Sequence, residues 1–314
     1  MKYFVTGGAG FIGSNLCHYL LKTKGNSVTV FDNFSNGSRA LLKDLAGDPR
    51  IEIIEGDLLD IAALGRALGG HDRVVHLAAN ADIALSAKQT DLDLRQTVLA
   101  TFNVLEAMST QGVKEIVYSS GSGVYGDVEG LATSETYGPL LPVSMYGATK
   151  LGAEGLISAF SNLFDLKAWI FRFANIVGPR QTHGVAYDFI RKLQNDPSGL
   201  TVLGNGLQSR SYVHVDDIFS AIFHVVERET AVISVHNVGS GDYITVRRVV
   251  ELLLDEMDLQ NTKVTYGNDP FGWKGDVPMI GLNDDKIRAL GWRPRYTSED
   301  AMRRSIRQML GGSL

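Results

Sequence analysis

The chain has 314 residues, 44% of them hydrophobic and 21% charged, with a formal net charge of −5 at pH 7. That length can bury a large core; that balance excludes a disordered chain and argues against nucleic acid as a main partner. A single cysteine, Cys17, excludes an internal disulfide, and with an apolar strand starting almost at Met1 and no long apolar span, the expectation is a cytoplasmic protein without signal peptide or membrane anchor.

Short apolar, β-branched runs alternate with helical periodicity through the first half. Strands are expected at residues 3–6, 28–32, 51–55, 73–78, 115–120 and 167–174, with helices at 11–23, 61–67, 91–110 and 145–164. Cys17, beside Leu16 and Tyr19 in the first of these helices, reads as a packing residue. Such βαβ alternation predicts an α/β fold built on a doubly wound parallel sheet, with ligands at the carboxyl ends of its strands. After Asn175 the pattern changes: Gly178-Pro179-Arg180 breaks the strand, residues 187–193 look helical, and Gly204-Asn205-Gly206 makes a turn. This stretch reads as a smaller C-terminal α/β substrate-binding domain. The apolar segments 213–226 and 233–238 return to the main domain. The expected division is therefore 1–175 plus roughly 212–240 for a dinucleotide-binding domain, with roughly 176–211 and 241–314 for the other.

Gly7, Gly10 and Gly13 lie between the apolar run Tyr3-Phe4-Val5 and a helix beginning near Phe11 and Ile12. Missing side chains allow a tight turn there and let backbone N–H groups approach a pyrophosphate at the positive end of the helix. Asp32 ends the second strand, where a carboxylate accepts hydrogen bonds from both ribose hydroxyls and repels a 2′-phosphate, which favours NAD over NADP. Asn33, Ser35 and Gly37 follow as further ribose or phosphate contacts. Asp57 ends the third strand and could take the adenine amino group. Leu77, Ala78 and Ala79 end the fourth, where two small residues let the dinucleotide lie against backbone. His76, just before them, reads as a buried, satisfied histidine.

Tyr146 and Lys150 stand four apart and share one helix face. A phenol ionises near pH ~10, too high for a base at neutral pH. A neighbouring ammonium and the positive nicotinamide ring are expected to lower that value. Tyr146 could then take a proton from a sugar or alcohol hydroxyl while hydride leaves the same carbon for NAD⁺, and Lys150 would also hold the nicotinamide ribose.

The set Gly7 to Gly13, Asp32, Gly56-Asp57, His76-Leu77-Ala78-Ala79, Val124-Tyr125-Gly126 and Tyr146 with Lys150 resembles the extended short-chain dehydrogenase/reductase family, whose core is a Rossmann fold. Segments 172–180, 182–189, 210–217 and 272–278 carry the resemblance over nearly the whole chain, toward the UDP-glucose (UDP-galactose) 4-epimerase branch. It implies an isomerase in which tightly bound NAD oxidises C4 of a UDP-hexose to a transient 4-keto sugar and returns the hydride to its other face. It adds Ile12, Leu58, Ser119, Phe173 and Ile176 to the cofactor contacts. Asn175 would bind the sugar or diphosphate and Arg210, a planar fork of donors, would pair with the diphosphate. Val185, Tyr187 and Phe189 would line the uridine–sugar side and Asp276 would meet the uridine ribose. No metal is implied. A homodimer through a four-helix bundle of the 91–110 and 145–164 helices is, and apolar Leu94, Val98, Leu99, Phe102 and Leu105 permit it, although burial within one subunit would leave the same pattern.

The chain departs from the family in two places. The catalytic Ser or Thr expected four positions before Tyr125 is Gly121. Either Ser122, flanked by glycines, reaches the reacting C4 oxygen and contacts substrate beside Tyr146, or the hydroxyl is missing and Tyr146 works alone or with water. Thr97 replaces an asparagine usually found near the nicotinamide. A 4,6-dehydratase needs an Asp-Glu pair where Ser122-Gly123 stands. The remaining alternatives are a UDP-glucuronate 4-epimerase or decarboxylase, another NDP-sugar-modifying short-chain dehydrogenase, and a catalytically silent dinucleotide-binding protein.

Overall fold

The computed structural model describes residues 1–80, 83–86, 88–269 and 281–311. They form two compact units, the first from Met1–Val124, Leu140–Arg172 and Ile222–His236, the second from Tyr125–Pro139, Phe173–Ala221 and Asn237–Leu314.

The first unit is organised by a seven-stranded parallel sheet, as the alternation predicts. Its strands are β1 (Lys2–Thr6), β2 (Ser27–Asp32), β3 (Ile51–Glu55), β4 (Arg73–His76), β5 (Glu115–Gly121), β6 (Lys167–Phe173) and β7 (Ile233–Val238). Their order is β7-β6-β5-β4-β1-β2-β3. The chain reverses its winding beside β1, where Val5 pairs with Val30 of β2 on one side and with Val75 of β4 on the other. Phe4, Val74 and Ile116 are fully buried, as expected of strands covered on both faces. They share a core with Leu64, Val104, Leu105, Ile157 and Phe160 from the flanking helices. Cys17 is buried in its helix and burial pushes its thiol up to about 12, consistent with a packing role.

Two details differ from expectation. Strand β4 stops at His76, so Leu77, Ala78 and Ala79 leave the sheet and become the loop at its carboxyl end. The helix expected at 91–110 is three pieces: Thr90–Asp93, a π-helical turn Leu94–Leu99, and Ala100–Gln111 ended by a left-handed Gly112. The wider turn holds one residue more than the 3.6-residue repeat anticipates.

In the second unit, short strands pair in twos: Asn175–Val177 with Tyr212–His214, Gly199–Val202 with Lys263–Tyr266, and Ser209–Arg210 with Ile244–Thr245. Helices Val185–Asn195, Val246–Glu256 and Ser298–Gly311 enclose a core of Phe189, Leu193, Leu253 and Met302 among others. No described helix is long and apolar enough to cross a membrane.

Candidate active site

The glycine turn is packed too closely for side chains. Gly7 has φ +68°, and a Cβ there would lie 2.8 Å from the Ala78 nitrogen. A Cβ on Gly13 would run into the Gly7 carbonyl oxygen, and one on Gly37 would lie 2.9 Å from the Ala9 carbonyl carbon. Gly10 caps the first helix without a side chain, so the N–H groups of Phe11, Ile12 and Gly13 have no helical carbonyl to serve. Phe11 itself is buried and Ile12 half-buried. Asp32 is 8% exposed; its Oδ2 accepts from the Ala9 N–H at 2.9 Å and its Oδ1 from the Phe34 N–H at 2.8 Å. Each oxygen keeps a lone pair for a ribose hydroxyl. The nearby Arg39 stacks over Phe34 at 4.4 Å and pairs with Glu55 at 2.8 Å, both charged side chains largely exposed. Asn33 donates to Asp57 Oδ2 at 3.2 Å and accepts from the Ser35 N–H at 3.0 Å, which ties the ends of β2 and β3 together beside buried Leu58. These groups fit a dinucleotide: an open row of donors, no Cβ in the way, and a carboxylate at ribose distance along the chain.

Tyr146 and Lys150 sit in the first turns of the helix Met145–Phe164, whose start is capped by Ser144 accepting from the Gly147 N–H at 3.1 Å. Gly147 lies directly on the Gly123 carbonyl, a contact any Cβ would break. A Cβ on Gly123 would lie 3.9 Å from Tyr146 Cδ1, so the loop after β5 runs past the ring. Ser122, partly exposed, opens that loop's single turn Ser122–Tyr125 immediately after Gly121 ends β5. Lys150 is 2% exposed and donates to the Ser119 carbonyl at 2.7 Å. Its ammonium is 5.1 Å from the Tyr118 ring centre and 5.7 Å from that of Tyr146.

The charges correct one expectation. Burial pushes the Tyr146 phenol up to about 12, and the Asp93 carboxylate pushes the same way. In the protein alone, loss of water around the phenolate is the dominant effect. Burial draws Lys150 down to about 8, against the opposing pull of Glu154 and Asp93. His76 is the satisfied residue expected: fully buried, Nδ1 at 2.7 Å from Thr6 Oγ1 and Nε2 at 3.0 Å from Thr101 Oγ1. Among the described residues no side chain bonds the Tyr146 hydroxyl.

Residues 3–239 match the profile of the NAD dependent epimerase/dehydratase family. The chain belongs to that family. It is 35% identical to a solved UDP-galactose 4-epimerase, with a TM-score of 0.87 and 98% of each chain covered. It is 26% identical to the UDP-glucuronic acid 4-epimerase of Bacillus cereus, solved with UDP-glucuronic acid and NAD, with a TM-score of 0.90 and 99% of each chain covered. It is 31% identical to a dTDP-glucose 4,6-dehydratase of Mycobacterium tuberculosis over 98% of this chain and 92% of that one. Three different reactions at similar distance establish an NAD-dependent sugar epimerase or dehydratase and leave the sugar open.

As a member of this family the chain also shows side chains that spacing did not announce. Glu154, one turn after Lys150, is buried and takes Arg172 Nη2 at 2.7 Å, Arg172 Nε at 3.0 Å and Ser120 Oγ at 2.5 Å. An arginine inside the apolar strand Lys167–Phe173 was the available signal. In the second unit Asn175 is exposed, Ile176 half-buried and Phe173 buried. Arg210 donates to the Ser209 carbonyl at 2.9 Å and Arg191 to the Tyr187 hydroxyl at 3.3 Å. Phe189 belongs to that unit's core and Val185 packs against it, so both face apolar neighbours there. Asp276 lies outside the described residues.

Proposed function

We propose that this protein is a UDP-hexose 4-epimerase of the UDP-glucose/UDP-galactose type that binds NAD tightly, with Asn175 and Arg210 as contacts of the nucleotide sugar. The observation that carries the reading is the Tyr146 hydroxyl: it has no protein partner among the described residues, and its neighbour Lys150 is pinned to Ser119 at the carboxyl end of β5. NAD, when bound, supplies the hydride acceptor and donor and a positive ring that favours the phenolate. The chain supplies the rest. The glycine turn and Asp32 hold the dinucleotide, Lys150 fixes its ribose, Tyr146 takes the C4 hydroxyl proton and later returns it, and Ser122 donates to the C4 oxygen. Ser122-Gly123 stands where a dehydratase needs two carboxylates, which favours epimerisation over elimination at C5/C6.

A second reading, a UDP-glucuronate 4-epimerase, draws on the TM-score of 0.90 with the Bacillus cereus enzyme. Incubating the purified protein with UDP-glucose, UDP-glucuronate and dTDP-glucose, without added NAD⁺, and resolving the products separates the readings. Interconversion of UDP-glucose and UDP-galactose is expected. A keto-deoxy product or no product from any of the three would reject the proposal. We also infer a homodimer through the helical run 90–111. Leu94, Leu99 and Phe102 are exposed at 52%, 44% and 37%, whereas Leu105 is used inside the subunit.

A further inference from the structure

Asp93 is fully buried, on the short helix Thr90–Asp93 that packs against the helix carrying Tyr146 and Lys150. Its Oδ1 accepts from Asn80 Nδ2 at 2.9 Å, and the same amide donates to Ser86 Oγ at 3.0 Å. Among the described residues its Oδ2 has no hydrogen-bond partner. The side chain caps no helix, since the turn it precedes, Leu94–Leu99, has no side-chain cap bond. A buried carboxylate oxygen without a donor is costly, and folds retain few of them without a use.

Resting on the reading of Tyr146 and Lys150 as the acid/base pair, we propose that Asp93 is a positioning residue for that pair. Its carboxylate, held in place by Asn80 on a short helix packed against theirs, sets the proton balance between the ammonium and the phenol. Asp93 is the one carboxylate, among the described residues, whose charge acts on both groups. The other ionisable groups around the pair act differently. Glu154, on the same helix, raises Lys150 and is itself tied to Arg172. Tyr118 on β5 offers Lys150 the face of its ring. His76 on β4 is held neutral, well below its usual range, at about 3. In a desolvated site an ammonium with too little negative charge nearby loses its proton, and with it its charge and one of its three donors. Asp93 offsets that loss at the expense of a less acidic phenol.

The test is Asp93→Asn, which keeps the shape and an oxygen for Asn80 while removing the charge. The readout is the ultraviolet tyrosinate titration of Tyr146, taken as the difference between each protein and its Tyr146→Phe partner. The pH profile of kcat is recorded on whichever UDP-sugar turns over. Removing the charge is expected to move the tyrosinate titration, and both limbs of the profile, to lower pH by about 1 unit. A shift of that order is what one charge roughly 12 Å away gives at an effective dielectric constant near ~20. Asp93→Ser serves as a second variant if the amide form does not fold. A fall in kcat with an unmoved titration and unmoved limbs would assign Asp93 a structural role and overturn the proposal. Failure of every sugar to turn over would reject the epimerase reading, while the titration still reports on Asp93.

Discussion

At the scale of single residues, the chemistry rests on a phenol whose hydroxyl no described side chain hydrogen-bonds. Tyr146→Phe keeps the ring and its packing and removes the one atom that moves a proton. Turnover should fall by about 10²–10⁴-fold with dinucleotide retention unchanged, read from product formation and from cofactor released on denaturation. Ser122→Ala asks whether the hydroxyl missing at Gly121 has moved one place along. A drop of about 10²–10³ in kcat with little change in KM is expected, and an unchanged rate would remove Ser122 from the mechanism. The glycines, Asp32 and the Tyr146/Lys150 pair were legible because backbone approach demands glycine and because a helix converts a spacing of four into a shared face. Asp93 and Glu154 were not, since their roles come from neighbours distant in sequence, Asn80 for one and Arg172 for the other. The burial of Tyr146 was not legible for a related reason: spacing reports the ammonium beside it and says nothing of the water withdrawn around it.

Among the elements, the turn after β1 and the helix after Ser144 do the positioning. Gly13→Ala forces a methyl group against the Gly7 carbonyl, where only backbone could give way. The expected product is a folded, less stable protein that purifies without its dinucleotide, seen as a lost near-ultraviolet cofactor contribution and a lower Tm. The second helix is bolted to β5 and β6 through Glu154, Ser120 and Arg172. Arg172→Met leaves the Glu154 carboxylate buried without its cation, a change that costs about 3–5 kcal/mol and should show as a large fall in the urea midpoint. The parallel strands were readable from sequence because the central ones are covered on both faces and most of their residues are apolar or β-branched. The two- to four-residue pairings of the second unit were not, being too short for any period to emerge. The π-helical turn at Leu94–Leu99 was equally invisible, because a single extra residue does not disturb an apolar stripe enough to register.

For the whole molecule, acid should be more damaging than composition suggests. His76 holds its folded-state value near about 3, against an ordinary 6.5, because burial disfavours the imidazolium. Between those two values the unfolded chain takes up a proton that the folded chain refuses, so this residue's contribution to stability shrinks as pH falls through that window and is intact above it. Urea midpoints at pH 7 and pH 4 would show the difference, and His76→Gln should flatten it. The helical run 90–111 has a consequence of its own. Its inner side carries Asp93 and Thr97, fully buried, while its outer side presents Leu94, Leu99 and Phe102 to solvent. A second subunit clasped on those outer residues would stiffen the wall behind the reacting groups. Specific activity should then decline on dilution, together with the sedimentation coefficient, and Phe102→Glu should reproduce that loss at any concentration.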